Sequence, residues 1–330
     1  MKAYINSIYS VATESGATEF KMIEPNYAEV LGGGGELRRM SRLVKLGMLT
    51  SQQCVQETNT QQVDAILVGT GLGGGECTEK FLESILQNET STHSPTPFIQ
   101  SLPNAIAGQI ALKLKCYGYN MTYVHRGFSF ETAIIDALML MEENTNNKDI
   151  LVGGIDEITE NYCEQMRQAG YVKNQLKDTN VGITLGEGAT FMQISSSQTL
   201  HTKAVLKELK LLYRPEDGLQ IMQEVLQILE NNNLIINDID FVLLGNCGDV
   251  MLDKKLKSVE ELLFKNHSKM YFKESCGEYH TSSGFAVWQA VQVLTQTQPM
   301  FDEVKKEVQN VIILNHYNDI NYSIFLLSKS

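Results

Sequence analysis

No run of about eighteen apolar residues occurs in the chain, so nothing in it reads as a membrane-spanning helix. Residues Met1 to Ala17 carry one lysine and no sustained apolar stretch, which argues against a secretory signal. The six cysteines (Cys54, Cys77, Cys116, Cys163, Cys247 and Cys276) are scattered, and none forms a C-x-x-C pair. That spacing predicts neither a metal site nor a disulfide scaffold, and a reducing cytoplasm is the expected location. Basic charge is also short. With 27 Lys and Arg against 39 Asp and Glu, the net charge is −12, which argues against a nucleic-acid partner. The one basic cluster, Arg38, Arg39, Arg42 and Lys45, reads as the solvated face of a helix. No linker or low-complexity segment interrupts the chain. Gly32–Gly35 and Asn88–Pro97 read as surface loops.

What is present is a repeat. The 330 residues can bury one large core or two fused halves. V-D-A-I-L-V-G-T-G at Val63–Gly71 is echoed by I-D-F-V-L-L-G-N-C at Ile239–Cys247. Both runs are apolar throughout rather than alternating, so they predict strands buried on both faces. Helices are expected after them, near Thr78–Gln87 and Met251–Lys265. The pairing continues in order. Met121–His125 with a helix at Phe128–Met141 matches Met270–Lys273 with a helix at Ser282–Leu294, and Asp149–Ile155 matches Asn310–His316. Two similar units in one order predict a duplicated α/β architecture of packed layers.

Gly69-Thr-Gly71-Leu-Gly-Gly74 satisfies G-x-G-x-x-G between a strand and a helix. A dinucleotide site also needs a following strand with an acid about twenty residues on. Here the helix runs instead toward Pro95 and Pro97, so the glycines are read as a tight, closely packed turn.

Several segments together resemble the β-ketoacyl synthase family of condensing enzymes, within the thiolase superfamily. They are P-F-I-Q-S-L-P-N-A-I-A-G-Q-I at Pro97–Ile110, Gly118-Tyr-Asn120, Leu151-Val-Gly-Gly154 with Ile-Asp-Glu157, Gly182-Ile-Thr-Leu-Gly-Glu-Gly188-Ala189, and Lys273-x-x-x-Gly277 with Gly284 beyond it. The chain is shorter than typical members, with the trimming placed before Val63 and between Glu157 and Gly182. The resemblance implies a thiolase-like fold of α-β-α-β-α layers with two similar halves, divided at 1–200 and 201–330.

In that family a cysteine at the start of a buried helix takes the acyl chain, and two histidines assist decarboxylation of a malonyl unit. Matching the nucleophile segment to Thr122–Phe130 puts Gly127 at the cysteine. Matching H-G-T-G-T to Gly245–Asp249 puts Gly245 at the first histidine, and the second falls on Glu278. The family's lysine is kept as Lys273, and the C-terminal G-F-G-G loop is shortened to Tyr317–Ile320. Ser129 and Glu131 are expected to cap the former nucleophile helix and complement its dipole.

Two functions follow as expectations. The first is a non-catalytic subunit resembling a chain length factor, cytoplasmic and without cofactor or metal. It would pair with an active ketosynthase, shape that partner's acyl tunnel, and meet acyl carrier protein only indirectly, in fatty acid, polyketide or aryl-polyene biosynthesis. The resemblance places the interface on Met121, Thr122, Tyr123, Val124 and His125, with Phe128, Phe130 and Met139 near the partner's tunnel. The second is a rewired acyl-thioester enzyme in which Cys247 or Cys276 works with His280 and Glu278, a set that would also suit a metal.

Overall fold

The computed structural model describes residues 2–13, 22–35, 37–58, 63–87, 94–143, 149–173, 181–296 and 307–330. Ten strands form one sheet: β1 (Ala3–Ala12), β2 (Ala65–Gly69), β3 (Tyr119–Tyr123), β4 (Ile150–Asp156), β5 (Gly188–Ser195), β6 (Ala204–Tyr213), β7 (Phe241–Gly245), β8 (Ser268–Tyr271), β9 (Asn310–Tyr317) and β10 (Asn321–Lys329). The α-helices are α1 (Tyr27–Leu31), α2 (Arg42–Thr58), α3 (Gly75–Gln87), α4 (Pro95–Ser101), α5 (Ala105–Leu114), α6 (Ser129–Glu143), α7 (Glu160–Gln168), α8 (Gly218–Asn231), α9 (Lys254–Leu263), α10 (Lys273–Cys276) and α11 (Ser283–Thr295).

The strand order is β3-β2-β4-β5-β1-β6-β10-β9-β7-β8. Read outward from the middle, β1-β5-β4-β2-β3 on one side answers β6-β10-β9-β7-β8 on the other. Each strand of the first set therefore has its counterpart five strands later, and the duplication read from the sequence is physical. The two sets join through a short antiparallel contact, Ala3–Ile5 against Ala204–Leu206.

Side-chain alternation then builds the layers. Ala65, Leu67, Ile150 and Val152 of the first set, with Leu243, Ile313, Phe325 and Leu327 of the second, share one core with α6 and α11. Those two helices thus lie between the halves. The opposite faces bury Ile66, Val68 and Leu151 under α2 and α5, and Val242, Leu244, Ile312 and Leu314 under α8 and α9. The result is α-β-α-β-α. Both predicted strands β2 and β7 are buried along their whole length, as apolar runs without alternation require.

Some local expectations shift. Residues 88–93 of the expected loop Asn88–Pro97 lie outside the described residues, while Pro95 and Pro97 open α4, where proline's fixed φ and missing N–H cost nothing. The expected strand Met121–His125 sits two residues earlier, so Val124 and His125 follow its end. The basic cluster is not a free solvated face. Arg42 grips the buried Glu187 through two bonds, Nη1 to Oε2 at 2.7 Å and Nη2 to Oε1 at 2.6 Å. Lys45 stands over the Tyr27 ring at 5.5 Å.

Candidate functional site

The loops at the ends of β2, β3, β7 and β9 meet α10 and the segment leading into α11. Gly127 lies in a 3₁₀ turn, Arg126–Phe128, between β3 and α6. Arg126 just before it has φ 55°, a left-handed conformation strained for a branchless but non-glycine residue. This is a sharp strand-to-helix elbow.

No side chain fits at its centre. A Cβ built on Gly127 would lie 2.4 Å from Tyr317 Cβ, 2.8 Å from Cγ and 3.1 Å from Cδ1. Tyr317 is held there by its own backbone. It ends β9, and the turn to β10 is tight because Asn318 and Asp319 both take left-handed φ, 54° and 53°. Asparagine and aspartate are the residues that tolerate this best. The Tyr317 hydroxyl meets His280 Nε2 at 2.9 Å, and the two rings stack with centroids 4.5 Å apart. Burial holds the His280 pKa below its ordinary value, so the ring is neutral near pH 7.

The other two positions are also occupied. A Cβ on Gly245 would lie 2.6 Å from Asn315 Oδ1, 2.9 Å from Asn315 Cα and 3.0 Å from Phe272 Cε1. Glu278 is buried and accepts a bond from Lys273 Nζ at 2.8 Å, while Lys273 also donates to the His316 carbonyl. The retained lysine thus serves a buried ion pair.

Neither candidate thiol is set up as a nucleophile. Cys276 is fully buried in the central core, its Sγ donating to the Gly277 carbonyl at 3.3 Å, and burial pushes its pKa up. Cys276 and Cys247 belong to different hydrophobic clusters. Cys247 Sγ donates to Asp253 Oδ1 at 3.3 Å, and burial, with Glu278 nearby, pushes the thiol up to about 12. A cysteine facing carboxylates stays a thiol. Among the described residues, Cys247, Asp253 and His316 place their ligand atoms within 4.8 Å of one another. That cluster already closes on itself, since His316 Nε2 lies 3.0 Å from Asp253 Oδ1, which also accepts from Cys247 N at 2.8 Å. Cys276 and His280, named in the second reading with Cys247 and Glu278, are not part of this cluster.

Ser129 is not a simple cap. Its Oγ accepts from His125 N at 2.9 Å and lies 2.8 Å from the Thr70 carbonyl, tying the elbow to the loop after β2. Glu131, expected to complement the helix dipole, is fully buried against Ser323 Oγ at 2.8 Å, and burial raises its pKa to about 7. Phe130 is fully buried in the central core, which takes it away from any partner's tunnel, while Phe128 is half-buried.

The glycine-rich loop after β2 is held by carboxylates. Asp156 Oδ1 accepts from Gly71 N at 2.7 Å, and Asp156 Oδ2 accepts from Thr281 N at 2.9 Å. Glu157 Oε1 accepts from Glu76 N at 3.1 Å in the first turn of α3, where a phosphate would otherwise sit. Gly71 is needed because the His280 ring lies where its Cβ would go, 2.1 Å from Cγ.

A cavity of about 270 Å³ remains beside the elbow, lined by Arg126, Tyr162, Tyr171, Cys247, Glu278 and Tyr317, among others. The sequence reading missed the filling role of Tyr317 and the Asp253–His316 pair. The Tyr-Asn-Asp triplet was the available signal, since two turn-tolerant residues directly after a strand predict a tight reversal.

The family described as β-ketoacyl synthase, N-terminal domain, matches residues 36–231. The chain belongs to this family. No curated protein sequence matches it. Among solved structures, it is similar to the ishigamide ketosynthase/chain length factor (TM-score 0.77, 13% identity, covering 100% of this chain and 99% of that one). It is also similar to AntDE:AntF, a type II PKS acyl-carrier protein in complex with its ketosynthase bound to the hexaketide (TM-score 0.75, 12% identity, 100% and 99% covered). A third is the ketosynthase ApeO in complex with its chain length factor ApeC from Xenorhabdus doucetiae (TM-score 0.76, 14% identity, 99% and 98% covered). At these identities the likeness establishes the thiolase-like ketosynthase fold. No helix among the described residues is long and apolar enough to cross a membrane.

Proposed function

We infer that this chain is a non-catalytic, chain-length-factor-type subunit that pairs with an active ketosynthase and helps shape its acyl tunnel. The observation that carries this reading is the closure at Gly127, where Tyr317 fills the space a nucleophile's side chain would need. Glu278 adds to it. An ionised carboxylate only accepts hydrogen bonds, so it cannot polarise a thioester carbonyl as a histidine donor would.

The partner follows from the sheet's edge. β3 is an outermost strand, and its Met121 is 40% exposed, with Val124 just beyond it and Met139 of α6 also exposed. Tyr117 and Leu112 are exposed as well. A bare edge with apolar side chains is a template for another chain. Thr122, Tyr123 and His125 complete the interface we assign, and Met139 and Phe128 replace Phe130 as the side chains nearest a shared tunnel. Solved relatives include a ketosynthase with its chain length factor and one with its carrier protein, which supports the same kind of assembly here. With a net charge of −12, this subunit is a poor docking surface for an acidic carrier protein, so the partner supplies the basic contacts. A cytoplasmic setting and a division into halves at 200/201 belong to the same reading.

Co-expression with an intact ketosynthase, expected to be encoded beside it, followed by native mass spectrometry, tests the pairing. A one-to-one complex is expected, and Met121→Lys should dissociate it. A stable homodimer that ignores the ketosynthase would refute the reading.

A further inference from the structure

A second cavity, of about 510 Å³, lies under the outer helices of the first half. Val44 and Met48 of α2, both buried, line it, and both belong to the outer core beneath α2 and α5. The helix that starts at the elbow, α6, packs on the opposite face of the sheet, so the sheet stands between the two. The volume falls within the range of about 300–1,000 Å³ typical of small-molecule sites.

Ile99 of α4 and Leu112 of α5 also line it and are 57% and 72% exposed, so apolar surface is gathered there in contact with water. Met40 and Met48 add unbranched thioether side chains, which adapt to a flexible apolar body. Gln100 Nε2 donates to the Arg39 carbonyl and so ties α4 to the 3₁₀ turn Leu37–Arg39 at the cavity's edge. The two charges in the lining are both positive. Arg39 and Lys113 are exposed, no acid lines the cavity, and neither side chain forms an ion pair among the described residues. In a chain of net charge −12 this is a local reversal of sign, complementary to an anion.

We propose that this cavity binds an amphipathic anion, an aliphatic chain against the Met40, Val44, Met48, Ile99 and Leu112 side chains with its anionic oxygen head in the field of Arg39 and Lys113. A cationic amphiphile would be repelled by the same two residues. A small anion without a chain would leave the apolar lining in water and forfeit the hydrophobic gain. The ligand is bound, not transformed, since no thiol, imidazole or carboxylate lines the cavity. The site gives this chain a small-molecule ligand of its own, independent of its pairing with a ketosynthase.

Isothermal titration of the full chain with octanoate and with octyl phosphate tests the site, beside acetate, which lacks the chain, and octylamine, which reverses the charge. At least one of the two octyl anions should bind, about tenfold or more tightly than acetate or octylamine, because burying a few methylenes is already worth that much. The tighter of the two identifies the head group. Raising the salt from about 0.05 M to about 0.5 M should weaken this binding, since charges at the surface are screened. Arg39→Gln and Lys113→Gln should each weaken it by about threefold, and together by about tenfold, as exposed charge pairs do. Because both residues are exposed, the double variant should keep the wild-type melting profile. Gln109→Trp, at a half-buried position in the lining, should abolish binding by filling the cavity. No binding of either octyl anion at about 5 mM, a limit corresponding to very weak affinity, would overturn the proposal. So would octylamine binding as tightly as the anions, or anion binding that the double variant leaves unchanged. No partner chain enters this experiment, so its failure and failure of the pairing are separately visible.

Discussion

Gly127→Ala is the smallest perturbation that asks whether the elbow is filled. The added methyl would sit 2.4 Å from Tyr317 Cβ, an atom fixed by the β9 backbone rather than the free end of a flexible chain. Relief therefore requires movement of the β9–β10 turn, and overpacking of this kind costs about 1–3 kcal/mol. Against that, replacing glycine at a compatible φ gains about 0.4–1 kcal/mol by restricting the unfolded chain. Gly127 is not among the residues with positive φ, so this gain applies. The net expectation is destabilisation of about 1–2 kcal/mol. Urea unfolding followed by circular dichroism reads it as a lower midpoint at unchanged slope. Tyr317→Ala is destabilising by itself, but in the double variant the clash is gone, so a coupling of about 1 kcal/mol or more should appear between the two sites. Gly127→Cys in the wild-type background should be destabilised further and should gain no condensing activity. A neutral or stabilising Gly127→Ala, additive with Tyr317→Ala, would refute the closure.

Three further outcomes are expected. With the Cys247 thiol pushed up to about 12 and Cys276 held above its ordinary value by full burial, neither should react with iodoacetamide at pH 7.5 until the chain unfolds; stoichiometric labelling of the native protein at either residue, read by peptide mass spectrometry, would contradict this. Lys273→Met alone should cost about 3–5 kcal/mol by stranding the Glu278 carboxylate, and the paired Lys273→Met/Glu278→Leu variant should recover much of it, as unfolding curves would record. Burial raises Glu131 from 4.5 to about 7, so the folded state holds this proton more tightly than the unfolded state, and its contribution to stability falls as pH rises from about 4.5 to about 7. Glu131→Gln should therefore gain stability relative to wild type on going from pH 5 to pH 8, and a pH-independent difference between the two would show that the carboxyl is not perturbed.

The parallel strands and their helices were legible because burial on both faces writes a continuous apolar run, as in Ala65–Gly69 and Phe241–Gly245. The antiparallel strands β1, β5, β6 and β10 were not read. Ala204–Tyr213, for one, mixes charged with apolar residues because part of it is only half-buried. At the site, the altered residues Gly127, Gly245 and Glu278 could be located by motif order. What fills the space could not, because Tyr317 comes from 190 residues further along the chain than Gly127 and only the folded sheet brings them together. Cys247 and Cys276 lie in the two loops that supply the site, yet the short helix α10 turns Cys276 into the core. Loop membership alone cannot distinguish a wall from an interior.

A condensation assay with malonyl- and acyl-loaded carrier protein, run with this chain alone, with the ketosynthase it pairs with alone, and with both, separates a scaffold from an enzyme. The expected result is no product from this chain alone, and product from the pair whose length distribution changes with Met139→Trp at the proposed tunnel wall. Carbon–carbon bond formation by this chain alone would contradict it, as would a product distribution from the pair that is indifferent to this chain's presence.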